Sequence, residues 1–471
     1  MTHPEPAQLY RQIYERVRGS IVEGRLQPGD RLPSARSFAQ ELGVARGTVD
    51  LAYAILAGEG YVEARGRAGT RVAMGLHRLT AERGPGATAS PNADAGSTRQ
   101  HGLLPLAPGV PAFDLFPRKL WAQLVRRHAR TLGRAELTYP DPQGSLKLRE
   151  AVAAHLAVSR GVTAHADQIL ITGGFQSAVG LVTQALLRPG EAAWIEDPGY
   201  NPIRMALAQI GANAVPLPVD DEGLDVAAGM RCAPNARLAI VAPAHQFPMG
   251  MTLSLSRRLQ LLDWAERAQS WVLEDDFDGE FRYQGRPLPA LKSLDRAGRV
   301  FYTGTFSKTL FPALRLGFLV VPQSELERFR QAMRYLDGGR SALEQAVTAE
   351  FLSEGHFARH IKKMRSAYRS RRATLAAALA AHFGDGARID QTAGGLHLLL
   401  HVKGGLGTLE RIPWTSSEAL GAIPMRVLTD RTDLRDALLV GFCNLPERQA
   451  ASIAAQLHAI VRAARKRDEA P

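Results

Sequence analysis

Beyond Pro105 the chain repeats one pattern, a short apolar run followed by a helix-length amphipathic stretch. The runs fall at 168–172, 192–196, 238–241, 271–273, 300–303 and 316–321. Strand-length runs spaced by helices predict βαβ units, because parallel neighbours can be joined only by a long crossover. The predicted class is therefore α/β with a mainly parallel sheet. Ahead of this region, residues 76–104 are rich in Gly, Ala, Ser, Thr and Pro and show no apolar period. Such a composition buries too little surface to offset chain entropy, so a flexible linker is expected there. It would divide a small unit, 1–75, from a large body, 105–471. No repeat at a solenoid period is visible.

Composition narrows the class further. At 471 residues the chain exceeds the ~150 residues of one ordinary domain. With 45% hydrophobic and 22% charged residues, disorder and collagen-like structure are excluded. No apolar run approaches the roughly 18 residues a spanning helix requires, so no membrane partner is expected. The first residues hold Pro4, Glu5 and Pro6 and no apolar core, so no secretory signal is expected. Cys232 and Cys443 are too far apart to read as a metal motif or a disulfide framework, so no metal is expected and a cytoplasmic location is. The net charge of +12 invites a nucleic-acid reading, but residues 1–75 carry ten arginines against eight acids. Placement, not total charge, must therefore carry any DNA assignment. Lysine occurs at only eight positions, none before Lys119.

In the small unit, apolar residues at 9, 10, 13, 14, 17, 21 and 22 predict a helix over 9–22. After the turn cluster 24–33, Ser34 caps a short helix ending at Leu42, and Gly43 stops it. A further helix is predicted over 45–56, which makes a helix-turn-helix. It would present Arg46, Gly47, Thr48 and Tyr53 to base edges and phosphates. Residues 60–72 read as a hairpin wing with Arg65 and Arg67 at its tip.

Three blocks of the body carry chemistry. Residues 169–178, ILITGGFQSA, run from a strand into small residues and a helix start, where free N–H groups suit a phosphate. Residues 271–281, WVLEDDFDGEF, put acids at a strand's C-terminal end, where open α/β sheets bind ligands. An acid there could hold a metal, pair with a protonated ring nitrogen, or merely face solvent. Residues 302–317, YTGTFSKTLFPALRLG, set Lys308 among small hydroxylic residues. In an arginine-using chain a lysine fits where a neutral amine is needed, as in a Schiff base, although a surface lysine is the plain alternative.

The small unit closely resembles the winged helix-turn-helix of GntR-type regulators, through GDRLPSAR at 29–36, LGVARGTV at 42–49, Gly60-Tyr61 and Gly69-Thr70. That resemblance implies DNA contacts by Arg36, Arg46, Thr48 and Gly66. From about Leu106 onward the chain resembles fold-type I pyridoxal-phosphate aminotransferases. This implies a Schiff base on Lys308, and Asp275 on the ring nitrogen. Gly174, Phe175, Gln176, Thr305, Ser307 and Arg315 would surround the phosphate. Tyr200 would lie near the ring, and Tyr139 would reach the phosphate of the other subunit of a homodimer. The combined architecture, with AHQFPMG at 244–250 and EDDFD at 274–278, is similar to MocR-type transcriptional regulators.

Two departures bear on activity. Phe277 stands where the aminotransferases usually carry the tyrosine that bonds the cofactor's O3′, with His245 or Gln246 as partial substitutes. Leu439, two residues before Gly441-Phe442, stands where they carry an arginine for the substrate carboxylate. Arg204 and Arg426 are candidates for an effector carboxylate, with Arg431 and Arg435 nearby. The expected function is a pyridoxal-phosphate-binding regulator. Its body would sense an amino compound or the cofactor at Lys308 and control binding to a double-stranded operator, with at most vestigial transaminase activity. The alternative is a working aminotransferase with a DNA-binding head.

Overall fold

The structure is a computed structural model that describes residues 6–64, 69–74, 104–285, 288–390, 392–411, 419–429 and 431–468. Its contacts separate two units, Met1–Ala93 and Asp94–Pro471. The expected linker, 76–104, lies outside the described residues save Leu104.

The first unit packs α1 (Pro6–Val22), α2 (Ala35–Leu42) and α3 (Arg46–Gly58) with an antiparallel pair, β1 (Val62–Ala64) and β2 (Thr70–Val72). Ile13, Val17 and Ile21 recur every fourth residue of α1 and meet Phe38, Val49, Ala52 and Leu56 in one apolar core. The predicted stop and start signals hold. Ser34 accepts from the Ser37 N–H, and Gly43 closes α2 with φ +65°. Tyr53 differs from expectation. It is buried against Phe38, and its hydroxyl donates to the Pro33 carbonyl at 3.1 Å, so it pins α3 to the turn before α2 instead of facing DNA. The reason is helical phase: Tyr53 follows Val49 by four residues and shares its inward face.

The second unit is built on an eight-stranded sheet in the order β3-β10-β9-β8-β7-β4-β5-β6. Its strands are β3 (Ile169–Thr172), β4 (Ala192–Asp197), β5 (Asn213–Asp220), β6 (Gly223–Leu224), β7 (Leu238–Val241), β8 (Trp271–Asp276), β9 (Val300–Thr305) and β10 (Gly317–Val320). All six apolar runs read from sequence fall on these strands. Pairings from β5 through β4, β7 and β8 to β9 are parallel, while β10 is antiparallel to both of its neighbours. Helices bury both faces, which is why the strands read as continuous apolar runs.

β5 was not anticipated, because Pro216 and Pro218 argue against a strand. It is tolerated because the Pro218 carbonyl accepts from the Asp225 N–H on the side away from β4, so the missing donors face away from the parallel pairing. The body also departs from a single-sheet expectation. A second, antiparallel sheet has the order β11-β12-β14-β13, from β11 (Ala387–Asp390), β12 (His397–Val402), β13 (Ile423–Pro424) and β14 (Ala437–Gly441). Among the described residues, no helix is long and apolar enough to cross a membrane.

Leu56 is fully buried in the head's core. Leu56→Ala is expected to cost about 2–5 kcal/mol. Thermal unfolding followed by circular dichroism should show an earlier loss of the head's helices, and an unchanged melting profile would contradict this packing.

Candidate cofactor site

The three acids at the end of β8 serve different purposes because side chains alternate along a strand. Glu274 accepts from the backbone N–H groups of Leu291 and Lys292, both at 2.7 Å. Asp276 accepts from Arg160 Nε and the Tyr302 hydroxyl, both at 2.5 Å. Asp275, between them, points to the opposite face, where its Oδ1 is buried without a hydrogen-bond partner. Burial holds its carboxyl well above the usual range, and the neighbouring Asp276, Asp278 and Glu196 add to the effect. A protonated ring nitrogen would supply the missing partner and stabilise the charged form.

Lys308 follows β9. Its Nζ donates to the Gly109 carbonyl at 3.0 Å. Burial lowers its pKa, while Asp278 and Asp275 pull the other way. A lysine so placed has the neutral amine within reach that Schiff-base chemistry needs. Gly109 has φ +70°, and a methyl group there would stand 2.7 Å from Nζ. Sequence reading missed Gly109, since nothing in its neighbourhood marks it as close to residue 308.

The residues expected around the phosphate converge. A methyl group on Gly174 would lie 3.8 Å from Thr305 Oγ1 and 3.9 Å from both Ser307 Oγ and Arg315 Nη1. Gly174, at φ +102°, precedes the helix Phe175–Leu186, whose N-terminus receives no side-chain cap. The unpaired N–H groups and the helix dipole therefore face the same space as the Arg315 guanidinium. Arg315 itself has φ +50°, a left-handed backbone that a non-glycine residue keeps only where its surroundings force it. Gly317 was also missed: a methyl there would be 2.8 Å from the Gly174 Cα. The lysine, the partnerless carboxylate and the open cradle fit pyridoxal phosphate.

Other predicted residues line the same region. Phe175 and Tyr200 place their ring centres 5.9 Å apart, and Gln176 Nε2 approaches the Tyr200 hydroxyl at 3.4 Å. Phe277 lies 6.2 Å from His245, ring to ring. His245 Nε2 lies 3.2 Å from the Thr392 hydroxyl, while Nδ1 stands 2.9 Å from the Asp278 carboxylate without hydrogen-bond geometry. Gln246 is buried, and its amide donates to the Pro198 and Phe247 carbonyls at 2.7 and 2.5 Å. The Gln246 amide N–H groups are thus already committed, whereas His245 Nδ1 keeps no hydrogen-bond partner. Asp278 and Glu196 are further buried acids that sequence reading did not single out; burial pushes Glu196 up to about 8.

A cleft opens beside Asp275, lined by Glu196, Tyr200, Asn201, Arg204, Phe247 and Leu428 among others. Arg204 is exposed at this cleft, and Arg426 is exposed on the short turn Met425–Val427 next to Leu428. Arg431 is spent on Asp433 and the Val219 carbonyl. Leu439 is fully buried in an apolar cluster with Leu399, Ile423 and Met425. Tyr139 stands 95% exposed, away from the other residues of the site.

In the head, Arg36 and Arg46 are exposed and Thr48 is partly so. Arg46 pairs with Asp50 at 3.3 Å, one turn along α3. The N-cap residue Ala45 makes no side-chain cap. Gly66 and the wing arginines lie outside the described residues.

The buried Asp275 carboxyl has a measurable consequence in protein free of cofactor. Its raised pKa means that charging it costs more in the folded than in the unfolded state. The penalty is absent below the ordinary value of about 3.9 and grows as pH rises. Asp275→Asn should therefore raise the cofactor-free melting temperature at pH 7 to 8, with the gain vanishing near about pH 4. A gain independent of pH, or none, would contradict the burial argument.

Comparison with known proteins agrees with this geometry. Residues 9–72 match the family described as bacterial regulatory proteins, gntR family, and residues 102–403 match aminotransferase class I and II. The chain is 36% identical over 423 residues to the probable rhizopine catabolism regulatory protein MocR of Rhizobium meliloti, covering 88% of this chain and 85% of that one. It is 33% identical to the pyridoxine biosynthesis transcriptional regulator PdxR of Corynebacterium glutamicum, covering 84% of each. Among solved structures it is similar to LysN, the α-aminoadipate aminotransferase of Thermus thermophilus (TM-score 0.69, 27% identity, 79% of this chain and 95% of that one). The chain therefore belongs to the MocR-type transcriptional regulators of the gntR family, with a DNA-binding head and an aminotransferase-like body that takes pyridoxal phosphate.

Proposed function

We propose that the body senses an amino compound, or pyridoxal phosphate itself, at Lys308, and that two heads of a homodimer read an operator accordingly. The observation that carries this reading is a selective retention. The lysine, the acid and the phosphate cradle are all kept, while Phe277 and the buried Leu439 replace the groups that tune O3′ and hold a substrate carboxylate in the enzymes. When bound, pyridoxal phosphate supplies an electron-withdrawing carbonyl carrier that Lys308 and a free amine can exchange.

The chain's own residues supply the rest. Asp275 holds the ring-nitrogen proton. Gly109 keeps the Lys308 amine oriented through its carbonyl. Tyr200 and Phe247, whose ring centres are 6.0 Å apart, wall the cleft and exclude water. Arg204 at that cleft, or Arg426, would take an effector's carboxylate. An effector that contacts these groups differently in two arrangements of the body would bias one of them. The fully exposed Tyr139 supports a dimer, and two heads would bind half-sites spaced by helical turns.

Two variants separate the parts. Lys308→Ala should abolish the absorbance band near the visible edge in protein mixed with pyridoxal phosphate. Arg46→Ala should leave that band intact and weaken operator binding, with the slope of affinity against salt falling by about one phosphate contact. Unchanged DNA affinity would mean that α3 is not the reading helix. Sustained transamination at an enzyme-like rate would overturn the sensing role.

A further inference from the structure

The loop between helices Leu326–Leu336 and Ala342–Ser353 reads Asp337-Gly338-Gly339-Arg340-Ser341, and it supplies none of the cofactor residues described above. It carries a largely buried ion pair between Arg340 Nη2 and Asp337 Oδ2, with the Asp337 side chain 6% exposed. The same carboxylate oxygen accepts from Ser177 Oγ at 3.0 Å. Ser177 is in the first turn of the helix Phe175–Leu186, whose N-terminus faces the phosphate cradle.

The Arg340 guanidinium also lies against the turn itself. A methyl group on Gly173 would stand 2.7 Å from Nη2, 2.9 Å from Cζ and 3.1 Å from Nη1. A side chain at 173 would displace this guanidinium, and no positive φ gives the glycine another reason to be there. Arg340 Nε and Asp337 Oδ1 are buried with no hydrogen-bond partner. An ion pair left partly unsatisfied costs stability, so its retention calls for a function other than packing. On its other side the loop holds the segment after Tyr139. Gln345 donates to the Arg340 carbonyl at 2.9 Å and accepts from the Ser145 N–H at 2.7 Å.

We propose that Arg340 is a positioning residue for the cofactor's phosphate. Braced by Asp337 and Ser177, its planar guanidinium sets the Gly173–Gly174 turn so that the first N–H groups of the following helix aim at the phosphate. It is not itself a phosphate ligand. Arginine suits the role because one flat fork can lie on a peptide and bond a carboxylate at once, which a lysine ammonium cannot do. The inference rests on the assignment of the phosphate to the Gly174 cradle.

The test is titration of the full-length, cofactor-free protein with pyridoxal phosphate and with pyridoxal, which lacks the phosphate, followed by absorbance. Arg340→Ala and Ser177→Ala should each shift the ratio of the two dissociation constants by about tenfold against the phosphorylated form. Gly173→Ala should weaken pyridoxal phosphate in the native background and add little to Arg340→Ala, because both remove the same contact. A matched loss for both ligands, an unchanged ratio, or additive effects of Gly173→Ala and Arg340→Ala would overturn the proposal. If the native protein bound no pyridoxal phosphate, the cofactor assignment itself would fall, and this inference with it.

Discussion

The site depends on one strand running against its neighbours. β10 lies antiparallel between β3 and β9, so its first residue, Gly317, pairs with the last residues of both, Thr172 and Thr305. The end of β3, the end of β9 and the start of β10 therefore meet at one edge. That meeting brings together Gly174, which follows β3, Thr305 and Ser307 from β9, and Arg315, which leads into β10. A parallel β10 would have carried Arg315 to the opposite edge of the sheet. The close approach is possible because Gly317 has no side chain to push the Gly174 backbone away.

The same edge concentrates charge in a water-poor region. Asp275, Asp278 and Glu196 are all raised by burial, while Lys308 is lowered. Such an arrangement is poised to accept a ligand that carries a cationic ring nitrogen and an anionic phosphate at opposite ends. The surrounding charges are neutralised differently. Asp276 is locked by Arg160 and Tyr302, and Glu274 by two backbone donors, so of the three acids at the end of β8 Asp275 is the one with a buried oxygen left unpaired.

Much of this was legible in the sequence, for identifiable reasons. Strand runs such as 238–241 and the cap at Ser34 depend on local spacing and local backbone chemistry, and they fall where spacing put them. Lys308 stood out because lysine is scarce in this chain. Tyr53 was misread because its distance from the helix start was weighed and its phase relative to Val49 was not. β5 was hidden by Pro216 and Pro218, whose lost donors matter only once the pairing side is known. The antiparallel sheet of β11 to β14 was missed because β13 is two residues long and lies twenty residues beyond β12, its pairing to β14 set by tertiary contacts.

The sequence alone determined the pairing of a GntR-type head with an aminotransferase-like body, the α/β class and the cofactor. Motif residues and apolar periods are local properties, so they can be read without coordinates. Only the tertiary structure decided which of three adjacent acids is unpartnered, that the Lys308 amine meets the Gly109 carbonyl, and that the Arg340 guanidinium lies against Gly173. Each of these depends on contacts between segments far apart in the chain, and burial and facing are set by what packs across the gap.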